Sequence, residues 1–398
     1  MSVPPISNPD KDLDIVPQEK QKKKRSSFST WVRTFFIALL LAIVVKVFFL
    51  EAFVIPSNSM EGTLKTGDFI FVNKLHYGPR TPQTWLQIPL THQSMHIPGL
   101  GTHKTYLDAA KLPTTRLPGY SSIKRGDVVV FNHPPSNHPV SQKTHYVKRC
   151  VALAGDTVKI VDMQLIVNGQ KQGSSSKILY QFNFGTQSKG GNEVLDKQGI
   201  SYEEVNGGGY RFWATQSQAN NLSQNKKFSA NGDKPLLIRA NKEVRNPHIF
   251  PQDEAFDWNE DFFGPLIIPK KGTVMPMISR NVILYKDLIQ RFEGLKKGRV
   301  EIYKNQLLID GKVQERYTFK NNYYFMLGDS RHNSLDSRYW GLVPENHIVG
   351  KVAFTLFSLR PNVPWLSTSS RLPSGIGKYK IYPNFSKFRK KRWFKAVK

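Results

Sequence analysis

Two residues stand out as able to do chemistry together, and the first is a serine just beyond a long apolar run. Ser59 lies nine residues after Leu50, where that run ends, a separation of at most roughly 30 Å of extended chain. A serine hydroxyl is a weak nucleophile at neutral pH and needs a base. His145, His332 and His347 are candidate bases, although no Gly-x-Ser-x-Gly elbow surrounds Ser59.

The second residue is a lysine on a predicted strand. Tyr146, Lys148 and Cys150 share one face at a period of two, and Val147 and Val151 share the other. Aromatic and apolar neighbours would desolvate the lysine amine, and burial can lower its pKa from about 10.4 toward 7–8. A serine–lysine pair and a serine–histidine pair both remain open on this evidence.

A long apolar segment precedes the serine. Residues 31–50 are mostly apolar, with charges only near the two ends, and about 20 helical residues span a bilayer core. The basic cluster at 20–25 places the N-terminus in the cytoplasm by the positive-inside rule. A cleaved secretory signal peptide is the alternative, but the leader is long and no small-x-small cleavage site follows promptly. We therefore expect an uncleaved anchor, with the rest of the chain outside the cytoplasm.

The remaining chain is mostly strand-like. Residues 158–170 and 300–312 repeat one pattern, VKIVDMQLIVNGQ and VEIYKNQLLIDGK, which predicts two similar hairpins. Arg280–Phe292 is the best helix candidate, and the last strand is predicted over Val352–Leu356. Residues 171–235, rich in Ser, Gly, Asn and Gln, are expected to form a long exposed insertion.

Charge and cysteine content narrow the function classes. The net charge of +27 favours anionic partners, but no nucleic-acid-binding module is present, so anionic lipid is the expected partner. Residues 378–398 carry nine basic residues and no acidic one among aromatic side chains, which suits a membrane surface. A disordered solubilising tail is the alternative.

The single cysteine, Cys150, excludes an intramolecular disulfide and is predicted to be buried.

Four ordered segments resemble the conserved boxes of type I signal peptidases, membrane-anchored Ser/Lys proteases that remove signal peptides from exported proteins. They are Pro-Ser-Asn-Ser-Met at 56–60, Arg-Gly-Asp-Val-Val-Val-Phe at 125–131, Tyr-Val-Lys-Arg at 146–149 and the Gly-Asp-Ser-Arg…Tyr-Trp-Gly loop at 328–341. The resemblance implies a mainly β fold, with a single N-terminal transmembrane helix followed by an antiparallel β catalytic domain carrying an inserted second β region. It implies no metal and no cofactor.

The resemblance also implies roles for individual residues. Ser59 would be the nucleophile and Lys148 the general base, and the oxyanion would be held by the Ser59 backbone N–H and the Ser57 hydroxyl. Ser334 would orient the Lys148 amine. The supporting residues would be Asp336, Asp329, Arg338 and Arg149. The shallow substrate pockets, which would favour Ala-x-Ala cleavage sites, would be lined by Phe53, Ile55, Met60, Leu64, Tyr146 and Val147.

The expected organisation follows from these assignments. The predicted segments are a cytoplasmic tail (1–30), an anchor (31–50), a catalytic β domain (51–157 and 321–360) with an insertion (77–122), a second β region (158–320) and a basic aromatic tail (361–398). The chain would lie in the bacterial inner membrane with its catalytic domain on the periplasmic side.

Two positions depart from the family pattern. Asn58 stands where the family commonly has Gly, so the backbone before Ser59 must tolerate a side chain. His332 stands where many members have Asp, which leaves the ion pairing of Arg331 open. The rival functions are a membrane-anchored Ser/His hydrolase, which would depend on His145 or His332, and a non-catalytic envelope scaffold with the same fold.

Overall fold

The computed structural model of the chain describes residues 27–81, 94–99, 101–106, 115–136, 138–173, 177–185, 191–205, 208–225, 228, 234–295, 298–361, 363–364, 366–369 and 380–397. The basic cluster at 20–25 lies outside these residues. The chain divides into two units, residues 1–43 and 44–398.

The structure contains five α-helices within the described residues. They are Ser27–Val44 (α1), Gly191–Gln198 (α2), Gln216–Ser223 (α3), Ser279–Phe292 (α4) and Ser337–Trp340 (α5). A π-helical turn, Val45–Phe49, follows α1, and 3₁₀ turns cover Asn58–Met60, Val140–Gln142, Glu345–His347, Phe385–Lys387 and Lys390–Arg392.

Most of the regular structure is strand, as expected for a mainly β fold. The strands, in chain order, are Leu50–Val54 (β1), Asp68–Asn73 (β2), Ser94–Ile97 (β3), Gly101–Lys104 (β4), Val128–Asn132 (β5), His145–Ala152 (β6), Thr157–Val161 (β7), Gln164–Val167 (β8), Gln170–Lys171 (β9), Tyr180–Phe184 (β10), Ser201–Glu204 (β11), Tyr210–Ala214 (β12), Leu236–Leu237 (β13), Phe263–Ile267 (β14), Val274–Pro276 (β15), Val300–Tyr303 (β16), Gln306–Ile309 (β17), Lys312–Val313 (β18), Arg316–Thr318 (β19), Tyr323–Leu327 (β20), Val343–Pro344 (β21), Ile348–Ser358 (β22), Leu366–Ser369 (β23), Lys380–Pro383 (β24) and Lys395–Ala396 (β25).

The apolar helical segment Phe28–Phe49 has a mean hydropathy of 2.4, and it is long and apolar enough to cross a membrane. It contains neither Gly nor Pro, which would weaken or kink a helix. The helix ends where Leu50 enters an extended conformation and begins to pair with β2.

One antiparallel sheet carries the site, with strand order β1-β2-β22-β5-β6-β20-β21 and β25 beside β22. Strand β5 lies at its centre and is buried along its whole length. Its alternate residues belong to two different apolar clusters: Val128 and Val130 pack in one, and Val129 and Phe131 in the other. Both faces of the central strands are therefore covered, which explains the uninterrupted apolar run.

The two predicted hairpins are confirmed. In β7–β8 the turn residues Asp162 and Met163 have φ of 48° and 66°, and in β16–β17 Lys304 and Asn305 have φ of 45° and 58°. Two successive residues at positive φ match the right-handed twist of paired strands. An Asn-Gly or Asp-Gly turn then adds a third short strand in each case, β9 or β18. The helix predicted at 280–292 is confirmed as α4.

The prediction that residues 171–235 form an exposed insertion is wrong. Strands β10–β13 form a four-stranded sheet, and with α2 and α3 they enclose an apolar core of their own. Phe182, Phe184, Phe212 and Phe228 are each at most 2 % exposed. Phe182 and Phe184 alternate with polar residues along β10, and the many polar residues of the segment hid these aromatic side chains in its average composition.

The prediction that Val352–Leu356 is the last strand is also wrong. Strand β22 is longer than predicted, and three further strands follow it. Cys150, predicted to be buried, is fully buried.

Candidate active site

The nucleophile candidate lies on a short turn between the first two strands of the sheet. Strand β1 ends at Val54, and a 3₁₀ turn over Asn58–Met60 then carries Ser59. The turn is fixed on its inner side by Met60, which is 1 % exposed, and by a hydrogen bond from Leu64 N–H to the Met60 carbonyl (2.8 Å). Ser59 is consequently held on a rigid support with its side chain half-buried.

Asn58 fits the turn without strain. It is not among the residues with positive φ, so a side chain is allowed where the family commonly has Gly. Its side-chain oxygen accepts a hydrogen bond from the Thr66 hydroxyl. This departure from the family pattern therefore adds a contact within the nucleophile loop.

Lys148 meets Ser59 from strand β6. Its Nζ lies 2.6 Å from Ser59 Oγ, and the side chain is 2 % exposed. The ammonium also lies 5.6 Å from the centre of the Tyr146 ring. Burial lowers the pKa of Lys148 from 10.5 to about 8, although the carboxylates of Asp336 and Asp329 partly offset this effect. An appreciable fraction of the amine is therefore neutral near pH 8 and able to accept a proton.

The proposed oxyanion donors lie on the same turn. Ser57 is exposed, and its Oγ lies 3.4 Å from Ser59 Oγ. The Ser59 N–H belongs to the first turn of the 3₁₀ helix, where backbone donors have no partner within the helix. Both donors thus lie beside the nucleophilic oxygen.

A buried ion pair holds the loop at 328–341. Arg338 binds the Asp336 carboxylate through both Nε and Nη2, each at 2.9 Å. Asp336 is fully buried, caps α5, and accepts a hydrogen bond from Gly328 N–H (3.1 Å). Arg338 also donates to the carbonyls of Arg331 and Glu260. The pair therefore fixes both ends of the loop and links it to the inserted region.

A second buried ion pair joins the loop to the nucleophile segment. Arg149 binds Asp329 in a bidentate manner, at 2.8 and 2.7 Å. Thr63 completes the contact, because its hydroxyl donates to Asp329 and accepts from Arg149. Thr63 was not predicted as a site residue, and its position four residues after Ser59 was the available signal.

Ser334 lines the cleft. Among the residues that the structure describes, it makes no hydrogen bond to Lys148. Its Oγ and that of Ser330 are buried without partners among those residues. The Ser330 N–H donates to the Ser59 carbonyl (3.1 Å), which places the two loops in direct contact. The orienting role assigned to Ser334 from the resemblance therefore stays a prediction.

Gly328 provides the clearance between the two loops, and we expect Gly328→Ala to remove most activity. A Cβ there would lie 2.6 Å from the Ser59 carbonyl oxygen and 2.2 Å from Ser334 Oγ. The backbone contact cannot relax cheaply, so overpacking should also cost roughly 1–3 kcal/mol of unfolding free energy. Catalytic activity and thermal unfolding would be measured beside Gly173→Ala, whose Cβ would meet nothing within 4 Å. Equal activity in the two variants would contradict the tight contact.

His332 lines the cleft with Ser59 and Lys148, and it makes two contacts to the inserted region. Its Nδ1 accepts from Gln181 N–H (3.2 Å), and its Nε2 faces the Asp261 carboxylate at 2.9 Å. Asp261 was missed because it lies 71 residues from His332 in the sequence. Arg331, whose pairing was left open, is buried and makes no ion pair with any residue that the structure describes.

The C-terminal segment contacts the nucleophile loop as well. Arg392 forms an ion pair with the fully buried Asp68 and donates to the Thr63 carbonyl (2.9 Å). Arg389 donates to the Thr66 carbonyl (2.8 Å). Sequence analysis linked these basic residues to lipid, because a contact across 324 positions leaves no local signal.

A cleft of about 590 Å³ opens beside Ser59 and Lys148. Five of the six residues predicted for the substrate pockets line it, namely Phe53, Ile55, Met60, Tyr146 and Val147. Leu64 does not; it is fully buried in the same apolar cluster as Met60. His145 also lines the cleft, and its ring lies 4.8 Å from that of Phe53.

Comparison with known proteins agrees with this geometry. The family described as "Signal peptidase, peptidase S26" matches residues 28–210 and 297–357. The chain is similar to "Signal peptidase I" of Helicobacter pylori strain J99 (29 % identical, covering 83 % of this chain and 81 % of that protein). It is also similar to proteins of the same description from Buchnera aphidicola of Baizongia pistaciae (26 %; 86 % and 79 %) and Pseudomonas aeruginosa (24 %; 83 % and 72 %). The family match covers more than half of the chain, which therefore belongs to the signal peptidase family, peptidase S26, a family of serine endopeptidases.

Proposed function

We propose that this chain removes signal peptides from exported preproteins with Ser59 as nucleophile and Lys148 as general base. The observation that carries the proposal is the 2.6 Å separation of Ser59 Oγ and a lysine amine that is almost fully buried. Family membership supports the substrate class, and the contact supports the chemistry, because a neutral amine at hydrogen-bond distance can accept the hydroxyl proton.

The mechanism is acyl transfer. Lys148 takes the proton of Ser59 as Oγ attacks the scissile carbonyl, and the resulting oxyanion accepts hydrogen bonds from the Ser59 N–H and the Ser57 hydroxyl. A donor of this kind contributes about 2.7–4 kcal/mol to the transition state. Protonated Lys148 then gives its proton to the departing amine, leaving an acyl-enzyme on Ser59. Water, deprotonated by Lys148, attacks the ester and releases the signal peptide.

The lining of the cleft supports cleavage after small residues. Ile55 and Met60 are buried, and Phe53, Tyr146 and Val147 are partly buried, so the walls of the cleft are apolar and already packed. Alanine side chains fit such shallow pockets, whereas larger ones would clash. We infer a preference for Ala-x-Ala cleavage sites.

Membrane attachment is part of the proposal. The apolar segment Phe28–Phe49 would be a single anchor, and the basic residues at 20–25 would keep the N-terminus in the cytoplasm. The catalytic domain would then lie on the periplasmic side of the inner membrane. Phe385 and Phe394 are 67 % and 70 % exposed, and Lys390, Lys391 and Lys395 of the same segment are exposed too, which supports contact of the 378–398 segment with anionic lipid.

Two rival functions are less well supported. A Ser/His hydrolase needs a histidine free to serve Ser59, but His332 is bound to Asp261 and Gln181, and His347 is buried beside Asn346. His145 and His332 both line the cleft, so each is replaced by alanine to test this rival. A non-catalytic scaffold would have no need of the contact between Ser59 and Lys148.

The direct test is cleavage of a preprotein with an Ala-x-Ala site by the detergent-solubilised full chain, with N-terminal sequencing of the product. We expect one cut after the second Ala. Absence of cleavage, under conditions in which another signal peptidase cuts the same preprotein, would favour the scaffold.

The pH dependence should report the buried lysine. Because only the neutral amine is a base, kcat/KM should fall about tenfold per pH unit below the Lys148 pKa of about 8 and level off above it. Initial rates between about pH 6 and pH 10 would measure this acid limb. An acid limb near the ordinary histidine pKa of about 6.5 would instead indicate His145 as the base.

A further inference from the structure

A second cavity, of about 710 Å³, lies apart from the catalytic residues. Its size falls within the range of small-molecule sites, roughly 300–1,000 Å³. Three structural regions form it: the 3₁₀ turn at Val140–Gln142 with its flanking residues, the end of α4 with the residues that follow it, and the 3₁₀ turn at Glu345–His347. The cavity-lining residues that matter below are Lys143, Arg291, Phe292, Asn346 and His347.

Two cations meet at one wall of this cavity. Lys143 Nζ and Arg291 Nη2 donate to the same acceptor, the Pro134 carbonyl, at 2.8 and 3.0 Å. The two nitrogens are therefore at most about 5.8 Å apart, the sum of those distances. Both cations also lie against the Phe292 ring, at 5.5 and 5.3 Å from its centre. Like charges this close repel each other, and an anion bound between them would offset that repulsion.

The described residues supply no such anion. No carboxylate lines the cavity, and neither Lys143 nor Arg291 forms an ion pair within the described part of the chain. The acidic residues next along the chain are engaged elsewhere: Glu293 with Tyr317 and Tyr323, and Glu345 with Asn322. Lys143 is nevertheless only 5 % exposed, so water does little to compensate its charge.

A buried histidine gives a second, independent sign of a missing ligand. His347 is 1 % exposed and lines the cavity, and its Nε2 is buried with no partner among the described residues. Its Nδ1 is paired with the Asn346 side-chain oxygen at 2.7 Å. A buried polar atom without a partner is uncommon and costs stability. A bound anion carrying a hydroxyl group could donate to Nε2.

We propose that this cavity binds a phosphate group, held by Lys143 and Arg291 and contacted by His347. A phosphate monoanion fits because it offers acceptor oxygens to the two cations and one P–OH to the histidine. Arg291 Nη2 donates to the carbonyls of Pro134 and Pro135, which leaves its Nε and Nη1 hydrogens for a ligand, and Lys143 has two hydrogens beyond the one used on Pro134. Burial lowers the pKa of His347 most, and the nearby cations, Lys143 among them, lower it further.

The phosphate could belong to a free anion or to a phospholipid headgroup. Inorganic phosphate would therefore be titrated into the detergent-solubilised full chain by calorimetry, with sodium chloride at equal ionic strength as the control. In parallel, thermal unfolding would be followed with vesicles of zwitterionic lipid alone and with added phosphatidic acid. Heat of binding on titration with inorganic phosphate would assign a free anion as the ligand. A rise in Tm with phosphatidic acid, without binding of inorganic phosphate, would assign a lipid headgroup.

Variants at the exposed edge of the cavity make the test specific. Arg291 is exposed on α4, so Arg291→Gln should fold and weaken binding by about tenfold or more. Arg291→Glu should abolish binding and raise Tm in the absence of phosphate, because it supplies the missing carboxylate. Lys270→Gln, which removes an exposed charge elsewhere, should bind as wild type does. Binding unchanged by Arg291→Glu, or no response to any probe, would overturn the proposal.

Discussion

Replacing Lys148 with alanine should lower kcat by on the order of 10⁴-fold while leaving KM nearly unchanged. Lys148 contacts Ser59 Oγ at 2.6 Å and is enclosed by Tyr146 and the strand around it. The amine acts on the reacting hydroxyl and not on the bound signal peptide, so its loss affects the transition state and spares ground-state binding. Single-turnover cleavage of the preprotein would measure kcat and KM separately.

The Ser59 and Lys148 variants should not be additive. Without its base Ser59 hardly reacts, and without the nucleophile the base has no proton to take, so Ser59→Ala, Lys148→Ala and the double variant should be similarly inactive. Lys159→Ala, at an exposed position on β7, is the matched control and should keep wild-type activity. If Lys148→Ala retained a tenth of wild-type activity while His145→Ala lost it, the Ser/His hydrolase would replace the proposed dyad.

The features that could be predicted from the sequence are those that depend on residues close together along the chain. The alternation of side chains along β6 predicted that Lys148 lies among apolar residues. The Asn-Gly and Asp-Gly turns helped to predict both hairpins. The resemblance of four ordered motifs brought Ser59 and Lys148 into one site. Their separation by 89 positions gave no direct indication of contact.

Contacts between distant segments could not be predicted in this way. The pairing of His332 with Asp261, and of Arg392 with Asp68, joins residues whose local sequences give no sign of each other. The cluster around Lys143 and Arg291 is likewise built from segments more than a hundred residues apart. The average composition of the 171–235 segment gave a wrong prediction, because aromatic residues placed among its many polar residues were enough to form a core.

The buried pair of Asp336 and Arg338 should have the largest effect on stability. Asp336→Asn would leave the Arg338 guanidinium, 2 % exposed, without its counterion. Removing one partner of a buried pair costs roughly 3–5 kcal/mol of unfolding free energy. Asp310→Asn is the matched control, because the Asp310–Arg299 pair is about half exposed, and it should change stability far less than Asp336→Asn does. Urea unfolding of both variants at neutral pH measures the difference.

The pH dependence of this effect has a definite sign. Contacts with Arg338 hold the pKa of Asp336 below its ordinary value against the opposing effect of burial. The ionised carboxylate therefore stabilises the fold above the unfolded pKa of about 3.9, and that contribution is lost as the pH falls through the lower folded pKa. Wild type should consequently lose its advantage over Asp336→Asn only in acid, and an advantage that disappeared between about pH 5 and pH 7 would contradict the ion pair.

The same substitution should also move the activity profile, which separates an electrostatic effect from mere loosening of the loop. The Asp336 carboxylate raises the pKa of Lys148, opposing the effect of burial. Asp336→Asn should therefore shift the acid limb of kcat/KM to lower pH in the fraction that remains folded. Arg338→Met would remove a cation that lowers the Lys148 pKa, and its acid limb should move to higher pH. Two destabilised variants with opposite shifts cannot be explained by unfolding, whereas identical shifts would show that the ion pair acts on the loop alone.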